Sequence, residues 1–419
     1  MNLRWKRLAV CSLLVIALVA TLGVVGCGDD NGNGKKKKIL IGNMTDLTGV
    51  AAPALAPMSA GLHDMVAEIN AGEAPGPKLP EGVELEVIDY DTAFNSSRFI
   101  PGYEWLKGRG CQVIVSVFND CSEAIKVSAN KDKIAVLGQA TTIPMVEPPG
   151  YVFGYSVPTR WAIKLVLEWI GEQWIADGKP GKPVIATVGW NDAWGKDNAQ
   201  GAEEYCAAHS DKFDYKGTYL APVGTGMWSA EVAQTMGVDY VQTCANGATM
   251  PASYIGQYRN AGGTAITFDS ESVSAYAGYV VDTIGWDAVN GHINCQTWGW
   301  WGLTQWPEVE YVRHVLEKYH PKEAAEWIHA GMGYMGGAAM QLFGLQTIVS
   351  ALNAVGVDNF TGETYYNHAL TYSAEWAGDP RGFTADSRVV TNDMIILEWN
   401  ANQEDLIMVS DGWLPVPHE

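Results

Sequence analysis

From Ile39 onward the chain alternates two apolar patterns: short runs rich in β-branched residues, and stretches whose apolar positions recur every three or four residues. The first pattern predicts strands and the second amphipathic helices. Ile39 to Asn43 reads as a strand, and Ser59 to Asn70 carries Leu62, Val66 and Ile69 on one helical face. A strand over Val83 to Asp89, a helix over Phe99 to Lys107 and a strand over Gln112 to Phe118 follow. That last run is apolar almost throughout, as expected of a strand covered on both faces. A helix over Ser122 to Ala129 and a strand over Ile134 to Leu137 complete the first series. A second series has strands at Val184 to Val188, Tyr215 to Leu220, Tyr240 to Thr243 and Ala265 to Phe268. Its helices are Ala162 to Trp174, Asn198 to Ala208, Met227 to Met236 and Ser253 to Asn260. Alternation of this kind builds parallel sheets with right-handed crossovers. The predicted fold class is therefore α/β, with two doubly wound parallel-sheet lobes. Ligands of such sheets sit beyond the carboxyl ends of the strands, so two facing lobes would enclose one cleft.

The N-terminus changes this picture. Arg4, Lys6 and Arg7 precede an uncharged, mostly apolar run from Leu8 to Val25, and Val24-Val25-Gly26-Cys27 closes it. A basic start, an apolar core and small residues before a cleavage point make a secretory signal over residues 1–26. Cys27 resembles the lipidated cysteine of a bacterial lipobox; an uncleaved signal anchor is the alternative, because the run approaches membrane-spanning length. Residues 27–38 are rich in Gly, Asn, Asp and Lys and predict a flexible tether. A second long apolar stretch, Tyr334 to Val355, is interrupted by Gln341, Gln346, Ser350 and Asn353, and predicts a buried domain helix.

Composition narrows the function. Without the signal, 24 Lys and Arg face 47 Asp and Glu, a net charge of −23. Nucleic-acid binding needs basic stripes, so no nucleic-acid partner is expected. Lys35 to Lys38 could meet anionic headgroups at short range. The remaining length exceeds one core and implies two domains. Of seven cysteines, Cys111, Cys121, Cys206, Cys244 and Cys295 belong to the folded part, an odd number without CxxC spacing. Buried free thiols are expected rather than a zinc or disulfide framework. The sequence lacks a Gly-x-Ser-x-Gly elbow, a Walker loop and a His-Glu-x-x-His site, and His314, His320 and His329 are not spaced for one helical metal face. No enzyme activity, cofactor or metal is expected.

Several segments, in order, resemble the leucine/isoleucine/valine-binding type of periplasmic solute-binding protein. They are Ile41 to Gly49, Ala67 to Ala71, Asp89-Tyr90-Asp91, Tyr151-Val152-Phe153, Val188 to Gly195 and Gln257 to Gly262. The order and spacing carry the resemblance, from residue 39 to about residue 400. It implies a type I periplasmic binding fold with a three-segment hinge, lobe one over 39–158 and 295–378, and lobe two over 159–294 and 379–419. It also implies a monomer that captures a small ligand by hinge closure and serves an ABC permease in the membrane. A separate ligand-sensing subunit for a kinase or chemoreceptor would look the same in sequence.

The resemblance also implies the site. The loop Phe118 to Ser122 opens a helix, whose free N–H groups and dipole favour an anion; the next such turn is Gly138 to Thr142. In the family these turns grip a ligand carboxylate, which carries over to Asn119, Ala140, Thr141 and Thr142. Helix capping by Asn119 and Ser122 is the alternative use. Asp120 would repel an anion if it faced the cleft. Trp194, and Trp190 at the end of its strand, fall where aromatics wall the pocket. Glu271 matches an acid that meets the ligand's ammonium, with Asp269 as competitor. Asn246 stands where an aromatic is common, and Ala54 replaces a bulky residue, which implies extra space. Trp298, Trp300, Trp301 and Trp306 either extend the pocket or pack the lobe surface. An amino acid fits this set first, and a simple carboxylate, amide or urea second.

Overall fold

Five parallel strands form the first sheet: β1 (Lys37–Thr45), β2 (Val83–Asp91), β3 (Val113–Ser116), β4 (Ala135–Gly138) and β5 (Val152–Gly154), in the order β2-β1-β3-β4-β5. The computed structural model describes residues 36–49, 51–244 and 247–418. The expected signal, the lipidation site Cys27 and the candidate Asn246 lie outside the described residues. β1 starts two residues before the expected strand, because Lys37 and Lys38 pair in register with Val83 and Glu84.

The second sheet is built on β6 (Val184–Trp190), β7 (Asp214–Ala221), β8 (Tyr240–Cys244), β9 (Ile266–Phe268) and β10 (Ile293–Gln296). β11 (Ser373–Trp376) and β12 (Asp379–Gly382) form a separate antiparallel pair. β13 (Asp393–Asn400), β14 (Asp405–Met408) and β15 (Leu414–Pro415) then extend the second sheet, giving β14-β13-β10-β9-β8-β6-β7 with β15 on β13. These last strands run antiparallel, so the second sheet is mixed where a purely parallel one was expected. The chain passes between the sheets three times: after β5, after β10 and before β13.

Helices cover both sheets. The ones that build the cleft are α1 (Ala52–Ala71), α2 (Phe99–Gly108), α3 (Asn119–Asp132), α4 (Ile143–Val146), α5 (Thr159–Ala176) and α6 (Ala193–Ala208). The apolar helix Gly333–Val355 is long enough to cross a membrane, but most of it is buried against the protein. It lies along α1 at close range: a Cβ on Gly337 would come within 2.6 Å of the Met58 carbonyl oxygen, and one on Gly333 within 2.6 Å of the Ala54 carbonyl oxygen. Small residues here let two helix backbones approach and leave one shared apolar wall. The five cysteines of the folded part are buried free thiols, as expected.

Candidate functional site between the two sheets

The strands of both sheets end at one cavity. It encloses about 640 Å³, including its mouth. From the first sheet's side come Val117 after β3 and Gln139 and Ala140 after β4; α1 adds Ala54, Leu55 and Met58, and the helix Gly333–Val355 adds Gly336 and Met340. From the second sheet's side come Trp194 in the first turn of α6 and Glu271, Ser272 and Tyr276 after β9. The position beyond the strand ends is the one this topology reserves for ligands.

Among the described residues, Glu271 is the only carboxylate lining this cavity, and no Lys, Arg or His joins it. Burial pushes its pKa up to about 7, although hydrogen bonds from Thr297 oppose that rise. Its Oε1 accepts from the Thr297 backbone N–H at 3.0 Å and from the Thr297 hydroxyl at 2.5 Å. Thr297 lies in the second crossover. Its hydroxyl also accepts from the Val157 N–H of the first crossover at 3.3 Å, and its carbonyl accepts from Arg381 at 2.9 Å, just before the third. Thr297, through its side chain and backbone, thus joins Glu271 to all three hinge segments. The competing acid, Asp269, is committed elsewhere: it accepts from the Val273 N–H at 2.9 Å and faces His292 at 3.3 Å.

Of the other sequence candidates, Ala140 and Trp194 line the cavity with Glu271. Thr141 is fully buried, and its hydroxyl oxygen accepts from the Ser156 N–H at 3.3 Å. The buried Thr142 donates its hydroxyl to Glu123 Oε1 at 2.5 Å. Asn119 is fully buried as the first residue of α3; Phe118 occupies the cap position and no side chain caps that helix. Trp190 donates its indole N–H to the Thr225 carbonyl at 3.1 Å and packs near Gly247. Asp120 reaches across to the second sheet's side, accepting from the Ala193 N–H at the start of α6. Burial raises its pKa, and Lys196 partly offsets this.

The tryptophan cluster does not extend the cavity. Trp298 donates to the Tyr155 carbonyl at 2.6 Å, Trp300 to Asp405 at 2.7 Å and Trp301 to the Gly331 carbonyl at 2.8 Å, while Trp306 stacks on Trp413. Sequence reasoning passed over Gln139, Leu55, Met58, Met332, Gly336 and Met340 as site residues. An apolar residue facing a cleft has the same helical spacing as one facing a core.

A family model described as periplasmic binding protein matches residues 38–404. Among curated proteins, none matches the chain. Solved structures do. A branched chain amino acid ABC transporter protein of Thermus thermophilus with bound valine is 16% identical, covering 90% of this chain and 96% of its own, with a TM-score of 0.76. A fatty acid ABC transporter substrate-binding protein of Thermomonospora curvata is 17% identical over 89% and 92%, with a TM-score of 0.73. A solute-binding protein of R. palustris in complex with 4-hydroxybenzoate is 15% identical over 91% and 98%, with a TM-score of 0.71.

Proposed function

We propose that this chain, which belongs to the periplasmic binding protein family and has its type I fold, is the extracytoplasmic solute-binding component of an ABC transporter. The observation that carries the reading is the apolar cavity at the facing strand ends, with one buried acid that is itself bonded to the hinge. A ligand ammonium beside Glu271 would restore the charge partner that a buried carboxylate needs. An amino-acid-like solute with an apolar body suits that combination. The contact from Glu271 through Thr297 to Val157 and Arg381 gives ligand binding a route to hinge closure.

The lobe division proposed is 39–158 with 295–378 against 159–294 with 379–419, to within the few residues by which β10 overruns it. Trp190, Asn119, Thr141 and Thr142 are assigned to support of the pocket walls. Anchoring is proposed through a lipidated Cys27, and the working form is a monomer that docks on a membrane permease.

Thermal-shift screening tests the reading. The chain from Lys36 onward, which forms one compact unit, is screened against amino acids, aliphatic and aromatic acids, amides and polyamines. A solute that binds only the folded state raises the melting temperature by mass action. The expected result is stabilisation by apolar amino acids, with compaction in small-angle scattering at saturation. Stabilisation without compaction would contradict hinge closure, and silence across the panel would contradict the solute class.

A further inference from the structure

Two residues that line the cavity each carry a buried polar atom that the protein leaves unused. The Trp194 indole N–H is a donor without an acceptor, and Gln139 Oε1 is an acceptor without a donor, among the described residues. Both side chains are 3% exposed, and they reach the cavity from opposite sheets. Every other buried tryptophan of the described residues spends its N–H on a protein oxygen. A buried polar group without a partner is destabilising, so native proteins keep few of them and each calls for an explanation. Apart from Glu271, Ser272 and Tyr276, the rest of the lining is small, aliphatic or thioether, with Leu55, Met58, Val117, Met332 and Met340 prominent. Among the described residues no basic side chain lines the cavity to neutralise an anion, and Glu271 would repel one once ionised.

We infer that Gln139 and Trp194 form a head-group clamp. The clamp selects ligands whose apolar body carries a head that both donates and accepts hydrogen bonds, and it discriminates against simple monocarboxylates. The donor of the head meets Gln139 Oε1, and its acceptor meets the Trp194 N–H. A primary amide and the amine-with-carboxylate head of an α-amino acid share this chemistry. The inference rests on the cleft being the solute site.

The test is calorimetric titration of the chain with matched sets that share one apolar body: leucine, isocaproamide and isocaproate, then phenylalanine, hydrocinnamamide and hydrocinnamate. The wild-type chain is expected to bind the amide or the amino acid about tenfold more tightly than the carboxylate, the worth of one satisfied hydrogen bond. Gln139→Leu and Trp194→Phe, with melting temperatures near the wild type, are each expected to bring the set within about threefold. Tighter binding of the amide identifies a neutral head; tighter binding of the amino acid identifies an ammonium, whose advantage Glu271→Gln then removes. A carboxylate that binds as tightly as its partners, a ranking unchanged in both variants, or no binding by any member overturns the clamp. Ala140→Trp separates the two readings: it fills the cavity and should abolish binding, and binding that survives it would overturn the cleft as the site.

Discussion

The cleft and the hinge are built from the same materials and treat them differently. Each buries tryptophan rings beside an ionisable group. In the hinge the tryptophan N–H groups are spent inside the protein: Trp298 donates to the Tyr155 carbonyl and Trp376 to the Trp298 carbonyl at 2.9 Å, while Arg381, paired with Asp379 but with its Nε unmatched, lies over the Trp298 and Trp413 rings at 5.1 and 4.5 Å. In the cleft the Trp194 N–H and Gln139 Oε1 remain unspent. Residue type and burial therefore do not separate a structural tryptophan from one that meets a solute. Among the buried tryptophans the fate of the indole N–H does, because a folded chain gains nothing by burying an unmet donor.

The sharpest way to break this comparison is to truncate the hinge. Trp298→Ala removes a fully buried ring and its bond to the first crossover, and should cost about 3–5 kcal/mol in chemical denaturation. A cost below about 1 kcal/mol would mean that the hinge is not held as described. Arg381→Met leaves Asp379 buried without its cation and should cost about 3 kcal/mol; an unchanged midpoint would show the pair to be dispensable.

Titration sharpens the cleft side. The Glu271 pKa stands at about 7 in the folded chain against an ordinary 4.5. A carboxyl with a raised folded pKa favours folding while protonated, so this contribution is full below the ordinary value and is lost as pH rises through about 7. The unliganded protein should lose up to ~3 kcal/mol of stability across that window, and Glu271→Gln should flatten the profile. A wild-type profile that rises with pH over the same window would contradict the assignment. Affinity for an amine-bearing solute should rise as Glu271 ionises, which titration below and above neutrality would measure.

The smallest effect expected is at the thiols. Burial pushes Cys111 up to about 11 and Cys206 up to about 12, and Cys244 and Cys295 also rise. Alkylating reagents should leave these cysteines intact until the chain unfolds. Rapid labelling of the native protein would contradict their burial.

Much of the fold was legible because its parallel strands are buried on both faces. Val113 to Val117 and Val184 to Val188 are written as apolar runs, and helices with a clear apolar stripe separate them. β13, β14 and the β11–β12 pair were not legible: they follow the second series, where the strand-and-helix alternation that marks the other strands has ended. Glu271, Trp194 and Ala140 were legible through the order of motifs around them. Gln139 lies within the turn Gly138 to Thr142 but was not legible as a site residue, since nothing in a sequence shows that an amide will be buried without a partner. The methionines at 58, 332 and 340 face the cleft only because glycines at 333 and 337 bring two helices together.

The most direct test of the central claim compares Trp194→Phe with Trp298→Phe, measuring the melting temperature and the solute affinity of each. Both changes keep a ring and delete an N–H. The account predicts that Trp194→Phe leaves stability unchanged or slightly raised and weakens binding about tenfold, whereas Trp298→Phe lowers stability by about 1–3 kcal/mol and loses affinity only through the hinge. A Trp194→Phe protein that melts earlier and binds as tightly as the wild type would contradict it.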